Sequence, residues 1–500
     1  MDTSFAPVSA PDSPTGPPDG SPSPAVSVGR RRVLVAAAVA GVVAAVVVPL
    51  TEPGLGWPLG GAATIAAVLA CGPRGHRELS RILAASGVVL LLAAGTLRAA
   101  GWLFVLCLAA AVPLASLAVA GGGRTWRRTV RGAVALPAAA FGPTPYDFRG
   151  VRLPGRDGIG RLWRGGLVGL ALLLVFGALF ASADPVFADL VGRAVPRLSP
   201  GSFASGAVLF AIAAVSTLVA VHLRTAPPRV DERADRIPLR RYDWAVPVAL
   251  LDALFAVFVG VQVTVLFGGH GYVLGPGGPT YAVYARNGFW QLSAATVLTL
   301  GIVAFVAHRA GREAPVERRL IRLLVGPLCL LAIVVVASAL RRMELYVEAY
   351  GFTRVRLGAS AVELTVGIAF LLVLAAGVRL RGTWLPGAAV AIVAATLVTL
   401  VVVNPDAYIA RTIIARFQHD GHLDAGYLSG LSADAIPAIA RLPEPYRSCV
   451  LAGMADRPST VDRWYAFNAG RRTARAILAA RPVPKDAQPC PYVIRGPRDG

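Results

Sequence analysis

The sequence predicts an all-α, polytopic transmembrane helical bundle of about eleven spans, closed by a small extracytoplasmic C-terminal helical domain. Three observations carry this expectation. Of 500 residues, 55% are hydrophobic and only 15% charged, the balance of a membrane chain rather than a soluble one. The apolar residues gather in runs of roughly 16–22, the length a helix needs to cross a ~30 Å hydrocarbon core. Arginine, finally, alternates between rich and poor from one connecting loop to the next.

Residues 1–32 begin the chain with a cytoplasmic tail. Positions 2–28 hold seven prolines among Ser, Asp, Gly and Thr, a composition that cannot bury enough apolar surface to offset the entropy of ordering. Arg30, Arg31 and Arg32 then precede the run Val33 to Leu50, which reads as an uncleaved first span that starts insertion. Pro58 to Cys71, Ile82 to Leu97 and Gly101 to Ala120 complete a first membrane group over 33–120. Two of these, Pro58 to Cys71 and Ile82 to Leu97, are short for a full crossing. A basic linker fills 121–165. The main membrane-spanning domain, 166–403, holds Gly166 to Ala183, Phe203 to Leu223, Trp244 to Phe267, Gly288 to His308, Leu320 to Leu340, Ala359 to Val378 and Trp384 to Val403.

With the N-terminus inside, the inner loops and tail carry 28 arginines and the outer loops 8. That asymmetry follows the positive-inside rule and puts residues 404–500 outside a bacterial cytoplasmic membrane. It also accounts for the net charge of +21 without a nucleic acid, for which no stretch interleaves basic and aromatic residues on a soluble fold. Only Lys485 among the 49 basic residues is lysine, a compositional bias from which no chemistry follows. Cys71, Cys107 and Cys329 fall in or at the ends of spans, whereas Cys449 and Cys490 are the pair in the tail. An even pair in an exported domain meets the requirement for a disulfide.

Within 404–500, Asn404-Pro405-Asp406 reads as a helix start, with Asn as N-cap, Pro at the first helical position and Asp in the first turn. Tyr408, Ile409, Thr412, Ile413 and Phe417 follow at helical spacing, with Arg411 and Arg416 off the stripe. Tyr427 to Ala440 predicts a second helix interrupted at Pro437. Ser459 and Asp462 resemble a capping box opening a third over Val461 to Ala480.

Residues able to carry chemistry are few. Asp252 lies about eight residues into its span, where a charged carboxylate would cost on the order of 2.5–3.5 kcal/mol, so it must face protein or water. Gln262 and Thr264 follow on that helix, and Glu363 sits one turn inside the Ala359 span. The densest polar stretch is Arg341-Arg342-Met343-Glu344-Leu345-Tyr346-Val347-Glu348-Ala349-Tyr350. Helical spacing sets Glu344 and Glu348 on one stripe and Tyr346 and Tyr350 on another. It reads either as a juxtamembrane helix with Tyr at the headgroups or as an ion-paired outer site, with Asp184 and Asp189 as neighbours. His419 and His422, beside Asp420 and Asp424, form either a polar turn or part of a metal site. No Walker loop, strand-helix GxGxxG, HExxH or GxSxG is present, so no catalytic residue and no cofactor is assigned.

The stretches Ala183 to Ala188 (ADPVFA), Arg341 to Leu357 (RRMELYVEAYGFTRVRL), Asn404 to Arg411 (NPDAYIAR) and Leu428 to Ile439 (LSGLSADAIPAI) resemble an uncharacterised family of bacterial membrane proteins. These carry the domain of unknown function 4173 and its relative 4153. The matches frame roughly residues 160 to 480 and leave the first four spans outside. The resemblance implies a polytopic membrane protein and no activity or catalytic residue. The leading expectation is therefore a non-enzymatic sensory, regulatory or scaffolding protein whose partners are the lipid bilayer and an envelope protein. A secondary transporter using Asp252 and a membrane-embedded transferase acting on a lipid-linked substrate are the alternatives.

Overall fold

Hydrocarbon offers no hydrogen bonds, so an apolar run that enters it must satisfy its backbone internally, as helix. The computed structural model describes residues 30–50, 52–72, 78–121, 125–141, 200–225, 240–267, 281–311, 314–379, 382–455, 457–458, 463–491 and 494–495. The expected span Gly166 to Ala183, the N-terminal tail and both Asp184 and Asp189 lie outside them. Every other expected span coincides with a helix. In chain order these are α1 (Arg30–Val47), α2 (Gly56–Cys71), α3 (Glu78–Leu92) with the short α4 (Ala94–Leu97), and α5 (Gly101–Ala120). After α6 (Trp126–Phe141) come α7 (Pro200–Thr225), α8 (Arg241–Phe267), α9 (Tyr281–Arg309), α10 (Pro315–Tyr350), α11 (Arg354–Arg379) and α12 (Leu385–Val403). Among the described residues eight helical runs are long and apolar enough to cross a membrane: Leu79–Leu97, α5 and α7 to α12. The apolar α1 and α2 are shorter.

Packing divides the helices in a way their order does not announce. Helices α8, α9 and α11 pack on α10, with Phe255, Phe289, Leu328, Val335 and Phe370 in their shared core. Helix α7, which sequence order groups with these, packs on α1, α2, α5 and α6. Helix α12 bridges the groups, touching α11 on one side and burying Leu400 and Val401 beside Leu91 and Leu103 on the other. Within the basic linker, α6 folds back along α5. The Ser116 hydroxyl there donates to the Gly132 carbonyl and accepts from the Leu136 N–H at 2.8 Å.

Helix α10 is 36 residues long, about 54 Å at 1.5 Å per residue, well beyond a ~30 Å core. The stretch Met343 to Tyr350 is therefore the projecting end of a span rather than a separate connector. Gly351 stops it at φ 77° with its N–H on the Val347 carbonyl, a conformation that a Cβ disfavours.

Residues 404–491 build a second core. Helix α13 (Pro405–Asp420) starts where the sequence predicts, with Asn404 accepting from the Ala407 N–H at 3.5 Å. Then follow α14 (Ala425–Ser429), α15 (Ile436–Ile439), α16 (Tyr446–Ala452) and α17 (Ala469–Ala480). Ile409, Leu423, Leu428, Ile436, Ile439 and Leu451 form the interior. A two-residue antiparallel pairing, β1 (His422–Leu423) with β2 (Ile494–Arg495), is the only strand pair among the described residues. Two expectations change here. The Tyr427 to Ala440 helix breaks at residues 430–432, where Ser432 donates its backbone N–H to Asp406, and Pro437 opens α15 rather than interrupting it. The last helix begins at Ala469 behind the N-cap Asn468, while Ser459 and Asp462 lie outside the described residues.

Candidate functional site at the junction of the spans and the C-terminal region

The C-terminal core does not hang from α12 by a tether. Four segments that the loop-alternation scheme assigns to a single membrane face converge beneath it: residues 52–55, 95–102, 351–354 and 401–406. Two buried carboxylates organise the meeting.

Asp406, in the first turn of α13, is 0% exposed. Arg354, the first residue of α11, grips it in a fork, Nε to Oδ1 at 2.9 Å and Nη2 to Oδ2 at 2.6 Å. Oδ2 also accepts from the Ser432 N–H at 2.9 Å, and Oδ1 from Trp102 Nε1 at 3.3 Å. The Arg354 backbone N–H donates to the Tyr427 hydroxyl at 2.7 Å. A planar fork on a carboxylate fixes geometry as well as charge, so one side chain joins α11, α13, α5 and the 430–432 break.

Asp434, 3% exposed, works from the other side. Its Oδ2 accepts the backbone N–H groups of Ala99 (2.7 Å) and Ala100 (3.1 Å), the turn that feeds α5. Its Oδ1 lies against Gly470 in the first turn of α17, where the helix dipole favours an anion. A Cβ on Gly470 would come within 2.0 Å of that oxygen. Gly470→Ala is thus expected to push α17 from the 98–100 turn at a cost of about 1–3 kcal/mol, read as a lower unfolding temperature in lipid nanodiscs.

Asn468 completes the seam. Its side-chain amide donates to the carbonyls of Gly95 (2.7 Å) and Arg98 (2.8 Å) while its oxygen caps α17 by accepting from the Arg471 N–H at 2.8 Å. Arg471 reaches the Pro53 carbonyl at 3.1 Å and Glu52 at 3.3 Å, and the Leu55 N–H donates to the Phe467 carbonyl at 3.0 Å. Arg98 ties the turn to the end of α12 through the Val401 and Val402 carbonyls at 2.6 and 3.1 Å. Phe352 packs against the α8–α11 core and the C-terminal core alike, its ring 5.1 Å from that of Tyr408.

The two carboxyls are tuned oppositely. Burial pushes Asp406 up, but the hydrogen bonds and charge of Arg354, with the Ser432 donors, hold it below the usual carboxylate range. Burial also pushes Asp434 up, and there the Ala99 N–H, the Arg98 charge and the Ala100 N–H do not offset it, so it titrates above that range.

The residues singled out from sequence fall elsewhere. Glu344 pairs with Arg341 at 2.6 Å on the exposed face of α10, both more than half exposed, and such a pair stabilises by under about 1 kcal/mol. Glu348 is exposed on the same helix. Arg356 lies over the Tyr346 ring at 4.2 Å, so the Arg and Tyr residues of this stretch brace the α10–α11 corner. Asp252 is half-buried, near enough to Cys329 of α10 for the two to interact, and its Oδ1 is enclosed without a hydrogen bond among the described residues. His419 lies in the last turn of α13 and His422 opens β1. Among the described residues no three His, Cys, Asp or Glu side chains gather as metal ligands. Cys449 and Cys490 are disulfide-bonded, Cα to Cα 4.9 Å, and join α16 to the final segment. Asp434 and Asn468 had signals that the sequence reading passed over: a lone acid inside an apolar stretch, and an Asn directly before an amphipathic run.

The fold and this seam define a polytopic helical integral membrane protein with a C-terminal region keyed into one end of its bundle. The model of a domain of unknown function, DUF4153, matches residues 86–442, and the chain belongs to that family. The match begins inside α3 and ends before Cys449, so it takes in the third and fourth spans that the motif resemblance left out. No curated protein and no solved structure matches the chain.

Proposed function

We propose that the chain is a non-enzymatic regulatory or sensory protein of a bacterial cytoplasmic membrane, with its N-terminus inside and residues 404–500 outside. In this reading, engagement of an envelope partner by the C-terminal region is passed to the spans. The observation that carries it is the Asp406 carboxylate, whose four donors come from α5, α11 and the 430–432 break. A load on the C-terminal core reaches two helices of the bundle, α5 and α11, through one fully buried group, as coupling through a rigid polar network requires. The loop-arginine asymmetry and the Cys449–Cys490 bond, at home in an oxidising compartment, support the orientation.

Two tests apply. After reduction of intact cells, an impermeant maleimide is expected to label Cys449 and Cys490, and protection until the membrane is breached would reverse the orientation. For the role, Asp406→Asn and truncation after Asn404 are expected to change the abundance or activity of the same subset of envelope proteins. A host indifferent to both, with the proteins present in the membrane, speaks against regulation.

The enclosed, unpartnered Asp252 oxygen favours a second reading, transport driven by an ion or proton. In that case Asp252→Asn abolishes an ion-dependent uptake at unchanged protein level.

A further inference from the structure

Among the described residues, the most deeply buried acid of the membrane-spanning region belongs to neither reading. Glu363 is 1% exposed, and it is deeper than its spacing from Ala359 suggests, because α11 begins at Arg354. Its polar surroundings are hydroxyls from one turn of α9. Thr296 Oγ1 lies 3.1 Å from Glu363 Oε1, and Ser293, one turn earlier on the same helix, lies near enough to act on the carboxyl. Ser293 Oγ is enclosed and makes no hydrogen bond among the described residues.

Hydrogen counting leaves two ways of sharing these contacts. Thr296 Oγ1 has a single hydrogen and also lies 2.9 Å from the Ser293 carbonyl, an acceptor only. If the hydroxyl serves that carbonyl, the contact with Glu363 is a hydrogen bond only when the carboxyl brings its own hydrogen. Among the described residues no cation is paired with the Glu363 carboxyl. Helix α12 contains no titratable residue, and α9 has none from Phe289 to Phe305. Gly367 of α11 meets Val336, so the stretch of α10 facing Glu363 runs through Ala339 and Leu340. The nearest charged residues of α10 are Arg341, Arg342 and Glu344, those of α11 on that side are Arg354 and Arg356, and none of them is paired with the Glu363 carboxyl. A charged group so enclosed carries a desolvation penalty of several kcal/mol. A metal ion such as sodium would need about six oxygens, and the carbonyls of these unbroken helices are committed to their own ladders.

We propose that Glu363, Thr296 and Ser293 form a proton-binding site inside the membrane-spanning region, between α9 and α11. The inference stands independently of the coupling reading. The test is infrared difference spectroscopy of the full-length protein in lipid nanodiscs across a pH series, with Glu363→Gln and Thr296→Val. The wild type is expected to show a protonated-carboxyl band at neutral pH that disappears in Glu363→Gln. In Thr296→Val, which removes the hydrogen-bond partner, the same band should move to higher frequency. If the Gln variant does not assemble, the shift in Thr296→Val decides. Absence of the band from the wild type at neutral pH, or a band that neither variant alters, overturns the proposal.

Discussion

Asp406→Asn is expected to destabilise the docked C-terminal region by roughly 3 kcal/mol, the low end of the range for breaking a buried ion pair. Volume is conserved, so the loss is electrostatic. An amide presents one acceptor where four donors converge, and its NH2 group turns a donor toward another donor. Arg354 keeps 32% of its side chain exposed, and water therefore relieves part of its lost pairing. The Asp406→Leu/Arg354→Met double variant is expected to be less damaged than Asp406→Asn, since it leaves neither charge unmatched. Differential proteolysis of residues 404–500 in nanodiscs, with membrane insertion scored separately, measures both.

The same pair sets a pH dependence. Asp406 has its folded value depressed, so its stabilisation is complete above the unfolded value of about 4 and is lost as pH falls through the depressed one. Asp434 is raised. Its contribution is most favourable below about 4 and declines as pH rises through the raised value. The docked state should be most resistant to protease in mildly acid solution, and Asp434→Asn should remove the decline on the alkaline side while leaving the acid limb of Asp406 in place.

Cys449→Ser with Cys490→Ser is expected to produce the other large effect. The bond closes a loop of 41 residues, which by chain entropy stabilises the folded form by ~4 kcal/mol. Reductant applied to the wild type should reproduce the variant, with the melting transition of the C-terminal region falling while insertion of α7 to α12 is unchanged. A transition insensitive to reductant would mean that the final segment is held by packing alone.

Individual elements were readable to very different depths. Ten of the eleven expected spans coincide with helices, eight of them long and apolar enough to cross a membrane, because a hydrocarbon solvent imposes one length and one secondary structure that composition reveals. The start of α13 was legible too, since Asn-Pro-Asp specifies a cap by local chemistry. The start of α11 at Arg354, ahead of the apolar run from Ala359, is set by a local cap, Thr353 accepting from the Arg356 N–H at 3.3 Å, while the Arg354 side chain finds Asp406, a partner 52 positions away. Asn468 caps α17 by local chemistry, accepting from the Arg471 N–H, but its amide also holds the Gly95 and Arg98 carbonyls, more than 350 residues earlier, and that partnership has no local signal.

By itself, then, the sequence determined that this protein is helical, repeatedly spans a membrane, and carries a helix-rich C-terminal region with a cysteine pair. These follow from local length, period and composition. Only the tertiary structure decided that α7 joins the first helices, that α12 bridges the two groups, and that Asp406 and Asp434 are the keys between spans and C-terminal core. Hydrophobic burial has no direction, and apolar helices carry little information about their neighbours. Partnership is specified instead by a few buried polar groups, each of which must find its donors wherever in the chain they lie.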